Sequence, residues 1–327
     1  MITVDKRKAK AWSRIGPRAA YGQFLLEIAK NDPKVIALSA DLGRSSGLSG
    51  FSKELPSQFF NTGIAEQNLV GISAGLSRMN FKVFSTTFAP FASLRAGEQV
   101  RMNMGYMQEP VNLVALASGF ALGFLGNSHF GIEDIAIMRA IPGLTIISPA
   151  DCYELYKSLI AAKELNTPVY LRLTGGVGMP VVYENDYEYK IGKGEVINPI
   201  NQITILAHGT TVGHALKAVN ELQTEGIEIG LINMHTIKPL DQKLLNRAIK
   251  KSDHILVCEE HNIIGGLGSA VLEYMNEKNQ YGSIIHRHGV KDCFPKTGDY
   301  DYMLKTLKLD SYGIKKEVLK IIKNIHK

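Results

Sequence analysis

Residues 61–68 read Asn61-Thr62-Gly63-Ile64-Ala65-Glu66-Gln67-Asn68 and run on into Leu69-Val70-Gly71-Ile72-Ser73-Ala74-Gly75-Leu76. A glycine turn leads here from an extended segment into a helix. Leu69, Ile72, Ser73 and Leu76 fall at i, i+3, i+4 and i+7, which directs one helix face inward and predicts a helix over residues 65–79. Glu66 then lies in the first turn, where a carboxylate favours the helix dipole. The residues alone leave two readings of Glu66 open: a partner for the dipole, or a group with chemistry to perform.

Around this segment, short β-branched runs alternate with longer helical ones. Val35-Ile36-Ala37-Leu38-Ser39 reads as a buried strand. Residues 82–86, 111–115, 144–148 and 168–173 read as further strands, and residues 91–104 as a helix. Asp151 is the expected N-cap of a helix through Glu164, with Glu154 completing a capping box. Residues 174–201 break the rhythm with glycines, Pro180, Pro199 and several tyrosines, and read as a connection with a short hairpin. The alternation then resumes. Strands are predicted at 203–207, 227–233, 254–258 and around Ile284-Ile285, and helices at 211–223, 242–250 and 268–276.

Strands separated by helices imply parallel sheets covered on both faces. The expected fold class is α/β, with two doubly wound domains of mainly parallel sheet over residues 15–180 and 201–327, joined by a linker at 181–200. Ligands in such folds sit at the carboxyl ends of the strands.

Composition agrees. A chain of 327 residues suits about two domains. It is 45% hydrophobic and 21% charged, which excludes a disordered or low-complexity chain. The net charge of +6 owes much to Lys305, Lys308, Lys315, Lys316, Lys320, Lys323 and Lys327. Ile314, Val318, Ile321, Ile322 and Ile325 are interleaved with them at helical spacing, so the lysines read as the solvated face of a terminal helix and not as a nucleic-acid surface.

Cys152, Cys258 and Cys293 form no CxxC pair, so neither a disulfide framework nor a structural zinc site is expected. Residues 1–14 are basic without an apolar core and do not form a secretory signal. The most apolar stretch, residues 111–126, is short for a bilayer and contains Asn112. A cytoplasmic protein without a membrane or nucleic-acid partner is expected.

The sequence lacks a GxxxxGK[ST] loop and HExxH. Gly265-Gly266-Leu267-Gly268 is only loosely like a dinucleotide loop, because Val271 stands where the third glycine belongs, and it reads as close helix packing.

Segment 61–68 resembles the glutamate motif of the pyrimidine-binding domain in thiamine-diphosphate enzymes of the transketolase family. Ser39-Ala40-Asp41-Leu42, residues 84–91, 126–134 and 141–151, Ile237-Lys238-Pro239-Leu240-Asp241 and residues 259–271 follow in the family's order and spacing. The resemblance implies that Glu66 bonds the cofactor's aminopyrimidine ring and favours its imino tautomer, whose nitrogen takes the proton from the reactive carbon. It implies that Phe88 and Phe91 pack around that ring, with Leu94 where a third aromatic is common.

Asp41 matches a cofactor-proximal aspartate and equally reads as a turn residue. His129 matches an active-site histidine suited to proton transfer near pH 7. Arg172 matches an arginine for substrate phosphate, with a structural ion pair as the other reading. Ser45 is a second candidate for that phosphate. His261, in a well-matched motif, reads as structural.

Two departures refine the expectation. Ala117 and Leu125 stand where other transketolases carry a histidine and an aspartate that contact sugar hydroxyls and phosphate. With Phe120, Phe124 and Phe130, Leu125 would form an apolar rim, which implies a deoxy, branched or otherwise modified sugar or sugar phosphate. The GDG segment and downstream asparagine that hold the diphosphate through Mg²⁺ are also missing; Gly298-Asp299 is followed by Tyr300.

A separate N-terminal subunit is therefore expected to bring the GDG motif and most of the Mg²⁺ contacts, in a hetero-oligomer with two of each chain. No metal ligand is expected in this chain. The resemblance thus implies the C-terminal subunit of a split transketolase, transferring a ketol unit from a ketose donor to an aldehyde acceptor. The alternatives are a 1-deoxyxylulose-5-phosphate-synthase-like carboligase, the beta subunit of a 2-oxo-acid dehydrogenase, and a non-catalytic interaction subunit.

Overall fold

The computed structural model describes residues 3–325. Helix α1 (Lys6–Lys30) opens on Asp5, whose carboxylate accepts the Lys8 N–H at 2.8 Å. It kinks at Gly16, where φ is +79°, and restarts at Pro17, whose fixed φ suits a first helical position. Then come β1 (Val35–Ser39), α2 (Ser49–Glu54), β2 (Phe59–Asn61), α3 (Glu66–Arg78) and β3 (Lys82–Phe88). A helical stretch follows in which a short α4 (Gly97–Gln99) separates two π-helical segments, Phe91–Arg95 and Val100–Tyr106. β4 (Asn112–Ser118), α5 (Asp134–Arg139), β5 (Thr145–Ile147), α6 (Cys152–Glu164) and β6 (Val169–Thr174) complete the first half.

The second half holds β7 (Glu195–Asn198), β8 (Ile203–Ala207), α7 (Thr211–Thr224), β9 (Gly230–Asn233) and β10 (Thr236–Lys238). It continues with α8 (Gln242–Lys251), β11 (His254–Asn262), α9 (Leu267–Glu277), β12 (Ile284–Val290), α10 (Tyr300–Thr306) and α11 (Ser311–Ile325).

The strands form two sheets. The first has seven strands in the order β10-β5-β6-β4-β3-β1-β2, parallel except that β10 runs antiparallel to β5. The second has five in the order β12-β11-β8-β9-β7, parallel except for β7. The central strands are buried along their length, which is why they read as continuous apolar runs. This is the α/β architecture of two doubly wound units.

β10 is the exception to a clean division, because the second half lends this strand to the first sheet. Three residues are too few to carry a periodic signal. The expected hairpin in 174–201 does not form; β7 instead pairs with β9, and Tyr183 and Tyr187 stack 4.1 Å apart between the sheets.

Asp151 caps α6 as expected, accepting the Glu154 N–H at 2.9 Å. Glu154 does not complete the box. Its buried carboxylate takes the Ala150 N–H, the Asn233 amide and the Tyr187 hydroxyl instead, and so ties the helix to the second sheet.

The Gly265–Gly268 cluster is close packing. The Glu259 carboxylate accepts the Leu267 and Gly268 N–H groups at 2.7 and 3.1 Å, and a Cβ on Gly266 would meet that carboxylate at 2.0 Å. The helix start is thus filled by the chain's own anion. Helix α11 buries Ile314, Val318 and Ile321 and exposes most of its lysines, while Lys315 pairs with Glu225 at 2.7 Å; Lys327 lies outside the described residues. Among these residues, no helix is long and apolar enough to cross a membrane.

Candidate active site

In the first sheet β1 lies between β2 and β3, and the later strands continue on the other side of β3. The crevice at the carboxyl ends of β1 and β3 is therefore a switch point, where such sheets bind ligands. Phe88 is the last residue of β3, and Phe91 opens the π-helical segment that follows. Their rings lie 6.0 Å apart. The His129 ring stands edge-on to both, 5.4 Å from Phe91 and 5.9 Å from Phe88, and its Nδ1 bonds the Ser128 hydroxyl at 2.9 Å.

Glu66 opens α3, as the turn at Gly63 predicts. It is only 3% exposed, and its Oε1 accepts from the Arg95 guanidinium at 3.0 Å. Its Oε2 is buried and bonded to nothing. Arg95 in turn lies 4.0 Å over the Phe91 ring. The structure thus joins Glu66, Phe88, Phe91 and His129, drawn from three separate segments, through Arg95. Sequence reasoning does not find Arg95. The available signal is a cation four residues after Phe91 on a helical run, one turn beyond the aromatic. A cavity of about 480 Å³ opens beside the cluster, lined by Phe91, Leu94, Arg95, Ser128 and, from the second domain, Phe294.

Asp41 sits at the end of β1 with φ +56°. Its N–H donates to Asn61 Oδ1, and its Oδ1 accepts from Asn61 Nδ2, both at 3.0 Å. Asn61 Oδ1 also accepts the Gly63 N–H, so Asp41 braces the turn that delivers Glu66.

Ser45 is exposed and lies apart from the Glu66 cluster in its contacts. It lines a cavity of about 380 Å³ with Gly16, Pro17, Arg18 and Arg44. The start of the second leg of α1 and two guanidinium groups meet there, an arrangement suited to an anion. Sequence reasoning does not single out Arg18 and Arg44; the Gly16-Pro17 break directly before an arginine is the available signal.

Two expectations are corrected. Arg172 is not brought to the Glu66 cluster, and its contacts are structural ones. It is fully buried on β6, with Nε 2.9 Å from Asp134 Oδ2 and with one terminal nitrogen donating to the Gly131 and Glu260 carbonyls, each at 2.9 Å. β6 is an interior strand, and Glu260, whose carbonyl Arg172 holds, belongs to β11; the other terminal nitrogen is buried without a partner, so the contacts present are those of the ion-pair reading.

The apolar rim is also smaller than expected. Leu125 and Phe124 are 44% and 67% exposed, but Phe120 and Phe130 are buried edge-to-face at 5.0 Å in a separate core with Met303. Ala117 is buried at φ +53°, where β4 slips register against β6. His261 is structural: it is buried, with Nδ1 donating to the Asn262 carbonyl at 2.7 Å. Among the described residues, no group of three or more His, Cys, Asp or Glu side chains could hold a metal ion.

Comparison with known proteins agrees with this geometry. Residues 13–177 match the transketolase pyrimidine binding domain, and residues 192–314 match the transketolase C-terminal domain. The chain is 36% identical to an apulose-4-phosphate transketolase subunit of Phocaeicola vulgatus, over 94% of this chain and 98% of that one. It is 36% identical to a 6-deoxy-6-sulfo-D-fructose transketolase subunit of a Clostridium species, over 88% of each. A solved structure described as a split gene transketolase in an inactive beta4 tetramer superimposes with a TM-score of 0.83 at 37% identity, covering 94% of this chain and 97% of that one. With both halves matched in order, and with the aromatic and glutamate residues gathered at one switch point, the chain belongs to the transketolase family.

Proposed function

We propose that this chain is the C-terminal subunit of a split transketolase and moves a ketol unit from a ketose to an aldehyde only when assembled with a partner. The observation that carries this is Glu66 Oε2, a buried carboxylate oxygen without a partner, on a side chain joined through Arg95 to the ring cluster of Phe91, Phe88 and His129. Leaving such an atom unpaired is costly, so the site fits a flat heterocycle that offers a ring-nitrogen donor. When bound, thiamine diphosphate supplies the carbon nucleophile and electron sink for the reaction.

This chain's residues hold and tune that group. Glu66 would bond the aminopyrimidine ring, and Phe88, Phe91 and Asp41 would help to hold it. His129 Nε2 holds or moves a proton on the substrate oxygen. Arg18, Arg44 and Ser45 take the anionic end of the substrate in place of Arg172. The diphosphate and Mg²⁺ are assigned to a GDG segment of the partner, since the sequence of this chain contains no GDG.

Relatives of matching length named as transketolase subunits support the split arrangement, and we assign two of each chain in the cytoplasm, with domains at 15–180 and 201–327 and a linker at 181–200. Exposed Leu125 and Phe124 favour a deoxy, branched or otherwise modified sugar at the rim, and relatives named for apulose-4-phosphate and 6-deoxy-6-sulfo-D-fructose support that reading.

Titration of thiamine diphosphate by calorimetry tests the assignment. Binding should appear after the partner is added, and Phe91→Ala should weaken it by about 10-fold, the scale of one lost aromatic contact. Equal affinity in Phe91→Ala, or no binding in the assembled enzyme, overturns it. A second measurement addresses the anion cavity. Arg18→Ala should raise KM for a phosphorylated acceptor by roughly 10- to 100-fold, the value of one charge-assisted hydrogen bond, and leave kcat nearly unchanged. An unaltered KM would remove Arg18 from the site.

A further inference from the structure

The loop that carries Leu125, Ser128 and His129 exposes Leu125 and rests on buried Phe120 and Phe130, and bonds at its ends fix its path. Gly119 and Gly131 close the base through reciprocal backbone bonds of 2.7 and 3.0 Å. The next residue, Phe120, donates its N–H at 2.6 Å to Oε1 of Glu260, a residue of β11 in the second domain. The other oxygen, Oε2, accepts the Thr210 and Tyr300 hydroxyls, each at 2.8 Å.

Arg172 ties the two sides together, with one nitrogen donating to both the Gly131 and Glu260 carbonyls. Just beyond the loop, the Asn262 N–H donates to the Ile132 carbonyl at 2.8 Å. Sterics agree with the bonding. Gly119 has φ +65°, and a Cβ there would lie 2.1 Å from Glu260 Oε1. A Cβ on Gly126 would lie 2.7 Å from the Thr297 methyl, and one on Gly123 2.6 Å from the Gly298 carbonyl. The second domain therefore touches the loop at its start and at its middle.

We propose that Glu260 is a positioning residue for His129: its carboxylate, held by Thr210 and Tyr300, fixes the start of the active-site loop through the Phe120 N–H. The carboxylate is buried and its three donors converge on it, so the bond it makes to Phe120 is charge-assisted in a low-dielectric setting. Burial pushes its carboxyl above the ordinary range, and the donors and the Arg172 charge oppose that shift. A misplacement of about 1 Å at a reacting group costs on the order of 100-fold in rate, so a small relaxation of this loop is enough to matter. The second domain thereby acts on catalysis, with the Glu260–Phe120 bond fixing the start of the loop.

The proposal rests on the assignment of His129 to the active site, and its test separates the two. In the assembled enzyme, Glu260→Ala should lower kcat by about 100-fold with KM and cofactor affinity changed less than about 3-fold. Glu260→Gln should recover most of the loss, because its carbonyl can face Phe120 while the two hydroxyls turn to accept from its amide. In a His129→Ala background, Glu260→Ala should cost little more, since the group it positions is gone. Equal losses in both backgrounds overturn the proposal, as does a loss confined to KM.

Hydrogen exchange of amides 120–129 in the full chain, measured without partner or cofactor, reads the loop directly. Faster exchange in Glu260→Ala and near-native exchange in Glu260→Gln are expected, whatever the enzyme's activity. Unchanged exchange overturns the positioning role even if the assigned reaction is correct. If exchange rises and His129→Ala is fully active, the loop is held as described and the assignment of His129 is what fails. Should Glu260→Ala not fold, Tyr300→Phe removes one donor to the same carboxylate and is read by the same two measurements. It should show a smaller change in the same direction, and none at all overturns the proposal.

Discussion

Glu66→Gln, in the enzyme assembled with its partner, is expected to lose turnover by about 10²- to 10⁴-fold, the range of a positioned acid–base group. The substitution keeps shape and volume and removes only the charge. Arg95 can still donate to the side-chain carbonyl of the introduced glutamine, and Arg95 is itself half exposed, so the ion pair contributes little to stability. The midpoint of thermal unfolding should therefore stay close to wild type. What changes is the oxygen that has no protein partner. A carboxylate there would accept from a proton-bearing ring nitrogen and favour the tautomer that carries it. An amide oxygen is a weaker acceptor, and an amide nitrogen would oppose the ring donor. Steady-state turnover beside a melting curve decides the matter: wild-type-like activity in a folded Glu66→Gln enzyme removes Glu66 from the chemistry.

The strands and helices around Glu66 are legible because their signal is periodic. The helix expected over 65–79 forms as α3, and Asp151 caps α6 as expected. Phe88, Phe91, His129 and Glu66 meet because the resemblance orders them along the chain, and the parallel sheet brings the strand ends together. What is illegible depends on depth and on contacts far apart in sequence. Nothing in Tyr170-Leu171-Arg172 says that the Asp134 carboxylate and the Glu260 carbonyl will close on Arg172, and so an arginine at a strand end can be read toward substrate or toward the core. Phe120 and Phe130 read as a rim for the same reason, although they pack under the loop against Met303. Helix α1 escapes the pattern because its Gly16-Pro17 break interrupts the periodicity, and Arg18 goes with it. Glu154 reads as a local cap because the partners it uses, Asn233 and Tyr187, lie 79 and 33 residues away.

Arg172→Ala is the second large effect, and it acts on stability. Asp134 and Arg172 are both fully buried. Removing the cation leaves the Asp134 carboxylate with the Tyr170 hydroxyl at 2.8 Å as its remaining strong donor, and it frees the Gly131 and Glu260 carbonyls. Breaking a buried pair by deleting one member typically costs about 3–5 kcal/mol, because the charge left behind is uncompensated. Denaturant unfolding of the full chain should show that loss as a lower midpoint. Arg172→Met combined with Asp134→Leu removes both charges and should recover part of it, since no buried ion is then left alone. The loop base offers a second sign of the same cause: with Arg172 gone, amides near Gly131 should exchange faster while the second sheet is unaffected. The competing reading, a guanidinium that binds substrate phosphate, predicts the reverse. Arg172→Ala would then keep its unfolding midpoint and raise KM for phosphorylated substrates. A stable Arg172→Ala protein with a raised KM would return Arg172 to the substrate and require a different account of how β6, β11 and the active-site loop are held together.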